Sequence, residues 1–172
     1  SAKRDQDNQR SSKPYVVSGI GWSTTRARYE ELRRSVVTQP RIAFNEDLKM
    51  VRDSLVVMTA TASEAIRAAT TALLDQDPEA VRMTAALDQN LEDDWLAIER
   101  RTFRLLARQQ PVAGDLRILV SAIKIGAECR RMGALAHHNG TDAARAHPAP
   151  AIPVQLSGIF RRMGDIASRI AD

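Results

Sequence analysis

Residues 48–78 read LKMVRDSLVVMTATASEAIRAATTALLDQDP, and their spacing decides the fold. Apolar side chains recur at Leu48, Val51, Leu55, Met58, Ala62, Ala65, Ala69 and Leu73, in steps of three and four that alternate as far as Ala69. Such steps draw one apolar stripe along a helix, as in helices packed lengthwise on one another. The run stops at Asp75-Gln76-Asp77-Pro78. Pro78 suits the first position of a following helix, where no N–H is needed, and Asp77 suits its cap.

Downstream, a second stripe reads Val81, Leu87, Leu91, Trp95, Ile98, Phe103 and Leu106. It ends at Gln109-Gln110-Pro111, since the residue before a proline avoids helical backbone. A third helix starts near Pro111 and carries Leu116, Leu119, Ile123 and Ala127, with Gly126 and Gly133 inside it. Each interior glycine costs about 1 kcal/mol relative to alanine. Close approach of another helix is one reason to place them there, and a bend is the other. Residues 139–153 hold Gly140, Pro148, Pro150 and Pro153 and read as a linker. Residues 154–172 form a fourth amphipathic segment with Leu156, Ile159, Phe160, Met163, Ile166 and Ile170. It reaches the last residue without a C-cap signal, as though it stopped inside a larger architecture. The pattern predicts an all-α, antiparallel up-down bundle, with three helices over 41–147. A linker and one further helix occupy 148–172.

Upstream, residues 1–22 show no helical stripe. Tyr15-Val16-Val17 suits a short extended segment, with Gly19 and Gly21 forming turns. Residues 24–37 suit a short helix carrying Tyr29, Leu32 and Val36, capped by Ser23 and ended by Pro40. Residues 1–40 therefore read as an irregular, mobile or docking arm. The arm is basic. Of the chain's 25 basic and 21 acidic side chains, eight and four lie in residues 1–40, a local net of +4. The rest of the chain holds 17 of each sign. A body that binds polyanions in general is not supported.

Composition narrows the class further. Aromatics are only 4% of 172 residues, so the core must be built from Ala, Leu, Ile, Val and Met, which favours helices on helices. The single cysteine, Cys129, can form neither an internal disulfide nor a zinc-thiolate cluster, and a reducing compartment follows most simply. No apolar run approaches the ~20 residues that span a bilayer, and no signal peptide is visible. Three histidines and the absence of a Gly-rich phosphate loop argue against a nucleotide-binding enzyme.

The stretch Leu105-Leu106-Ala107-Arg108-Gln109-Gln110-Pro111-Val112-Ala113-Gly114-Asp115-Leu116-Arg117 resembles the hallmark of PhoU proteins, in which a helix ending in Leu-Gln-Gln meets Pro-Val-Ala-Gly-Asp-Leu-Arg. Ser121-Ala122-Ile123-Lys124-Ile125 and Arg131-Met132-Gly133-Ala134-Leu135-Ala136 match as well. So do Arg41-Ile42-Ala43-Phe44, His147-Pro148 and the run from Phe160 to Gly164, which look most like the actinobacterial branch, called PhoY in mycobacteria. The resemblance covers roughly residues 41–172. It implies two three-helix repeats, of which this chain holds one and the first helix of the next. A second copy covering the open face, as a dimer or domain swap, follows from that. It also implies a cytoplasmic adaptor without catalysis, placed at the inner face of the membrane through its partners. Those partners are the phosphate ABC transporter ATPase and a sensor histidine kinase, and the adaptor restrains both phosphate uptake and starvation signalling. Many PhoU proteins hold Fe or Zn through a Glu/Asp-x-x-x-Asp pair on the third helix. Here Arg130 and Ala134 stand at those positions, so no metal or other cofactor is expected.

Several side chains are candidates for partner contact, each with a plainer structural reading. Asp115 and Arg117 open the third helix, where an aspartate also complements the helix dipole. Arg130 and Arg131 are echoed by Arg161 and Arg162 in matching Arg-Arg-Met-Gly runs, and four arginines on one surface would suit an anionic partner. Solvated helix faces are the alternative. His137-His138 with Asp142 and His147 could suggest metal, but adjacent residues on a helix point apart. Cys129 reads as a small buried hydrophobe. Glu92, Asp93, Asp94, Glu99, Arg100 and Arg101 form a charged face around Trp95. In the arm, Lys3, Arg4, Arg10, Lys13, Tyr15 and Trp22 could contact nucleic acid or a ribosome through phosphates and stacking. That is the alternative function, with the bundle as scaffold.

Overall fold

A computed structural model describes residues 22–108, 111 and 113–171. Four α-helices follow in order: α1 (Trp22–Asp75), α2 (Pro78–Arg108), α3 (Ala113–Ala146) and α4 (Ser157–Ala171), the last preceded by a 3₁₀ turn at Val154–Leu156. The chain divides into two compact units, Ser1–Arg41 and Ile42–Asp172, and the core lies in the second.

In this second unit α1 buries the stripe that its spacing predicts. Leu48, Val51, Met58, Ala62, Ala65 and Ala69 are buried, with Leu55 and Leu73 partly so. The turn to α2 is tight. Gln76 has a positive φ of 55°, and the Glu79 N–H donates to Asp77 Oδ1 at 2.9 Å, so Asp77 caps α2 as its position suggests. On α3 the buried residues are Leu119, Ala122, Gly126, Cys129, Gly133, Ala136, Gly140 and Ala143.

Gly126, Gly133 and Gly140 on α3 recur every seventh residue and face α2. A Cβ on Gly126 would lie 2.8 Å from Trp95 Cε3, one on Gly133 would lie 2.6 Å from Leu91 Cδ1, and one on Gly140 would meet Thr84. As α3 advances, α2 retreats, so the two are antiparallel. Leu55 of α1 also approaches Gly126, and Ala65, Ala68 and Ala69 pack with Leu87 and Ala136, so α1 runs parallel to α3. The core tapers along the bundle. Phe44, Met58, Leu91, Trp95 and Leu119 fill one end, and Ala72, Ala80 and Ala143 the other. Each large apolar side chain so buried stabilises by roughly 1.5–3 kcal/mol, and the small end gains by closeness instead.

α4 runs antiparallel to α1. Arg161 reaches Asp75, Gly164 lies against Thr70, and the buried Ser63 hydroxyl donates to Ser168 O at 3.0 Å. The side of α4 that meets α1 is therefore small and polar rather than its apolar stripe.

Four expectations are corrected. Helical backbone begins at Trp22, so Ser23 lies inside the helix, and Pro40 does not end it. Proline removes one hydrogen bond and crowds a carbonyl, but its φ near −65° is itself helical, so flanking residues can carry the helix past it. The linker is shorter than 139–153 because α3 continues through Gly140 to Ala146. There the missing Cβ lets α3 meet Thr84, and Thr141 Oγ1 donates to His137 O. On α2, Phe103 is 56% exposed, and Thr102 and Leu105 are buried in its place. The step from Ile98 to Phe103 is five residues, which a 3.6-residue period cannot hold on one face, whereas 98, 102 and 105 keep it. Leu116 of α3 is likewise exposed, the buried stripe starting at Leu119.

Candidate partner-binding surface

Arg130 is held across the α2–α3 seam. Its guanidinium donates to Glu92, at 3.1 Å to Oε2, on the outer edge of the glycine-lined contact. Two turns further along α3, His137 Nδ1 lies 3.1 Å from Asp88 Oδ2. The glycines set this geometry: they bring the two backbones close enough for side chains flanking the seam to pair. Arg131 pairs instead within its own helix, with Glu128 at 3.3 Å. Arg161 pairs with Asp75 at 3.2 Å. Arg162 is exposed and has no ion-pair partner among the described residues.

The arginine echo does not make one cluster. Leu55 shares a level with Gly126, and Asp75 shares one with Arg161. At 1.5 Å per residue, Arg130 and Arg161 are then separated by about 20 Å along the bundle. They belong to two surfaces, one on the α2–α3 seam and one on α4.

Asp115 is half-buried in the first turn of α3, and Arg117 is exposed beside it. Pro111 is half-buried at the turn. Gln109, Gln110 and Val112 lie outside the described residues, as do Lys3, Arg4, Arg10, Lys13 and Tyr15. Trp22 is the first residue of α1.

Arg130 and Ala134 do not fit a metal site, because a guanidinium is cationic and a methyl has no donor atom. Among the described residues, no three His, Cys, Asp or Glu side chains come together as a metal requires. His138 lies 3.4 Å from Asp142, and His147 lies beyond the end of α3. Cys129 is buried, and burial first, with Glu128 adding to it, pushes its thiol pKa above the ordinary 9.0, against a smaller opposing backbone hydrogen bond. The thiol stays neutral, as a core residue does.

The charged face around Trp95 is split by the fold. Trp95 itself is buried against Gly126, Glu92 binds Arg130, and Asp93 accepts from Gln89 at 3.1 Å. What periodicity alone missed is the groove where α1, α3 and α4 meet. Its volume is about 470 Å³, and Ile66, Leu73, Leu135, Phe160, Met163 and Ile170 line it. The matched apolar spacings of α1, α3 and α4 carry a signal for it, but only the fold shows that α4 turns its stripe outward.

The bundle thus carries ion pairs across its α2–α3 seam and an apolar groove between α1, α3 and α4. No helix among the described residues is long and apolar enough to cross a membrane. The PhoU domain family matches residues 55–143, about half of the chain. The phosphate-specific transport system accessory protein PhoU homolog 2 of Mycobacterium tuberculosis is 38% identical over 132 residues, covering 77% of this chain and 62% of that protein. PhoU homolog 1 of Mycobacterium leprae is 36% identical, covering 77% and 60%. A PhoU homolog 1 from Methanothermobacter thermautotrophicus is 30% identical, covering 73% and 57%. No solved structure matches. The chain belongs to the PhoU family, and it spans about three fifths of the length of these relatives.

Proposed function

We propose that this chain is a regulatory adaptor of phosphate homeostasis, working by contact rather than by catalysis. In this reading it restrains phosphate uptake and keeps starvation signalling off, by binding the ATPase subunit of a phosphate ABC transporter and a sensor histidine kinase on the cytoplasmic side. The observation that carries it is the match over 132 residues to proteins named as phosphate-specific transport accessories. The hallmark 105–117 at the α2–α3 turn supports it. Self-association is part of the reading, because α4 leaves apolar side chains exposed.

The test is a deletion strain grown with ample phosphate. Loss of the gene should switch on a starvation-response reporter, and the chain supplied in trans should switch it off. Purified chain should also bind the transporter ATPase on a sensor surface. A silent reporter together with no ATPase binding would refute the adaptor role. The charge of residues 1–40 supports the nucleic-acid reading instead. That reading requires RNA or DNA binding that falls steeply with salt and disappears when residues 1–40 are removed.

A further inference from the structure

Residues 41–172 are neutral as a whole, but their charge is unevenly spread. Residues 100–125 hold six basic side chains and one acidic one. We infer that the outer side of α2 and α3, near the turn that joins them, is a lipid-contact surface that seats on anionic phospholipid. Lipid contact of this kind goes beyond the adaptor role and is independent of it.

Apolar exposure is the first observation. Phe103 is 56% exposed, Leu116 43% and Val120 42%. The register that sets Trp95 against Gly126 and Thr84 against Gly140 puts Phe103 level with residues 118–121, beside Val120. Leu106 and Ile123, partly buried, join this group to the main core. α4 meets α1 and the side of α3 that carries Met132 and Asn139. Helical spacing puts Leu116 and Val120 at least a quarter-turn from that side, so the surface owes nothing to α4.

Charge is the second. Arg100, Arg104, Arg117 and Lys124 are exposed. None has an ion-pair partner among the described residues, and Arg104 Nε donates to a carbonyl of its own helix, Arg100 O at 3.3 Å. The same register sets Arg100 level with residues 121–124 and Arg104 with 117–120, so cations stand on both sides of the apolar group. Glu99, half-buried near the level of Lys124, offsets one of them. Asp115 is half-buried with its Oδ2 out of solvent. The balance stays positive, whereas elsewhere arginines are met: Arg130 by Glu92, Arg131 by Glu128 and Arg161 by Asp75.

The third is the kind of occupant such a surface fits. Phe103, Leu116 and Val120 stand out into solvent on the outward edges of two helices. A partner helix is gripped by the walls of a groove, whereas a lipid interface takes apolar side chains that stand proud and are ringed by cations. Anionic headgroups also satisfy cations without a fixed partner geometry, by roughly fivefold in affinity for each lysine or arginine. Nucleic acid would draw on the cations and leave Leu116 and Val120 in water.

The probes are sucrose-loaded vesicles of phosphatidylcholine, alone or mixed with phosphatidylglycerol, sedimented with the full chain. Affinity for the mixed vesicles should be roughly tenfold higher or more, and should fall in high salt. Residues 1–40 are basic as well, so variants of the surface decide. The Arg100→Gln, Lys124→Gln double variant should weaken binding roughly tenfold. Phe103→Ser should weaken it severalfold, and Glu99→Gln should strengthen it severalfold. The Arg82→Gln, Arg145→Gln double variant removes the same charge from exposed positions at the other end of α2 and α3 and should leave binding unchanged. Circular dichroism should be unchanged throughout, since each position is exposed or half-buried. Vesicle binding that ignores the surface variants would overturn the inference, and its loss on removing residues 1–40 would then assign lipid to the arm. Equal binding to neutral vesicles, or none to either, would overturn it too. Retention of polyglutamate through the same residues, with no vesicle bound, would overturn it in favour of an acidic protein segment. No transporter is present in these mixtures, so failure here leaves the adaptor role standing.

Discussion

Gly126→Ala should destabilise this bundle although it improves an isolated helix. Alanine in place of glycine within a helix gains about 1 kcal/mol from propensity. At position 126 the new methyl would stand 2.8 Å from Trp95 Cε3 and 3.0 Å from Cζ3. Carbon atoms rest at about 3.5–4.0 Å, so two ring atoms must retreat together. Trp95 is only 8% exposed and lies in the main core cluster, so its ring cannot swing into solvent. Separating α2 from α3 would in turn loosen the Leu91 and Thr84 contacts at Gly133 and Gly140. Overpacking of this kind costs about 1–3 kcal/mol. The expected balance is a loss of about 1 kcal/mol, or a few degrees in melting temperature for a domain of this size. Urea unfolding followed by circular dichroism, with tryptophan fluorescence alongside, measures it. Gly158→Ala is the control, because nothing lies within 4 Å of a Cβ there, and it should be neutral or stabilising. In the Gly126→Ala background, Trp95→Leu should cost less than it does alone, since the smaller side chain relieves the clash. A Gly126→Ala protein as stable as the parent would refute the claim that the glycines set the α2–α3 distance.

Three further outcomes follow from buried or paired groups. Thr102 Oγ1 is buried without a hydrogen-bond partner among the described residues, so Thr102→Val should stabilise by about 1 kcal/mol in urea unfolding. Cys129, its thiol pKa raised by burial, should resist thiol reagents in the folded chain and react once denatured. Because the unfolded thiol ionises first, stability should be full below pH 9.0 and decline above it, and Cys129→Ala should flatten that decline. The exposed Glu92–Arg130 pair should show a coupling below about 1 kcal/mol in a double-mutant cycle, fading in high salt.

The helices of the bundle were legible because burial follows a period that a linear sequence displays. The α1 stripe from Leu48 to Leu73 and the Asp77-Pro78 start of α2 required no knowledge of neighbours. The plain reading of Cys129 also held, since a thiol without a nearby base has little else to do. Errors arose where a local signal competes with packing. Gly140 and the prolines after it suggest a linker, but a glycine on a seam is kept helical by the helix it touches. Pro40 suggests a stop, but a proline ring permits helical φ, and whether the helix continues depends on its flanks. Phe103 is apolar, yet its distance from Ile98 turns it off the buried face, and Thr102 takes that place. The arginine echo matched in letters and parted in space, because α3 and α4 meet α1 at different levels. Sequence by itself determined the helical class, the α1 stripe and the turn that opens α2, since each depends on contacts within a few residues. Tertiary structure alone decided which face of α4 turns inward, which carboxylate each arginine meets and where the open groove lies. Those depend on the distance between backbones, which the glycines of α3 permit and which only packing against α1 and α2 sets.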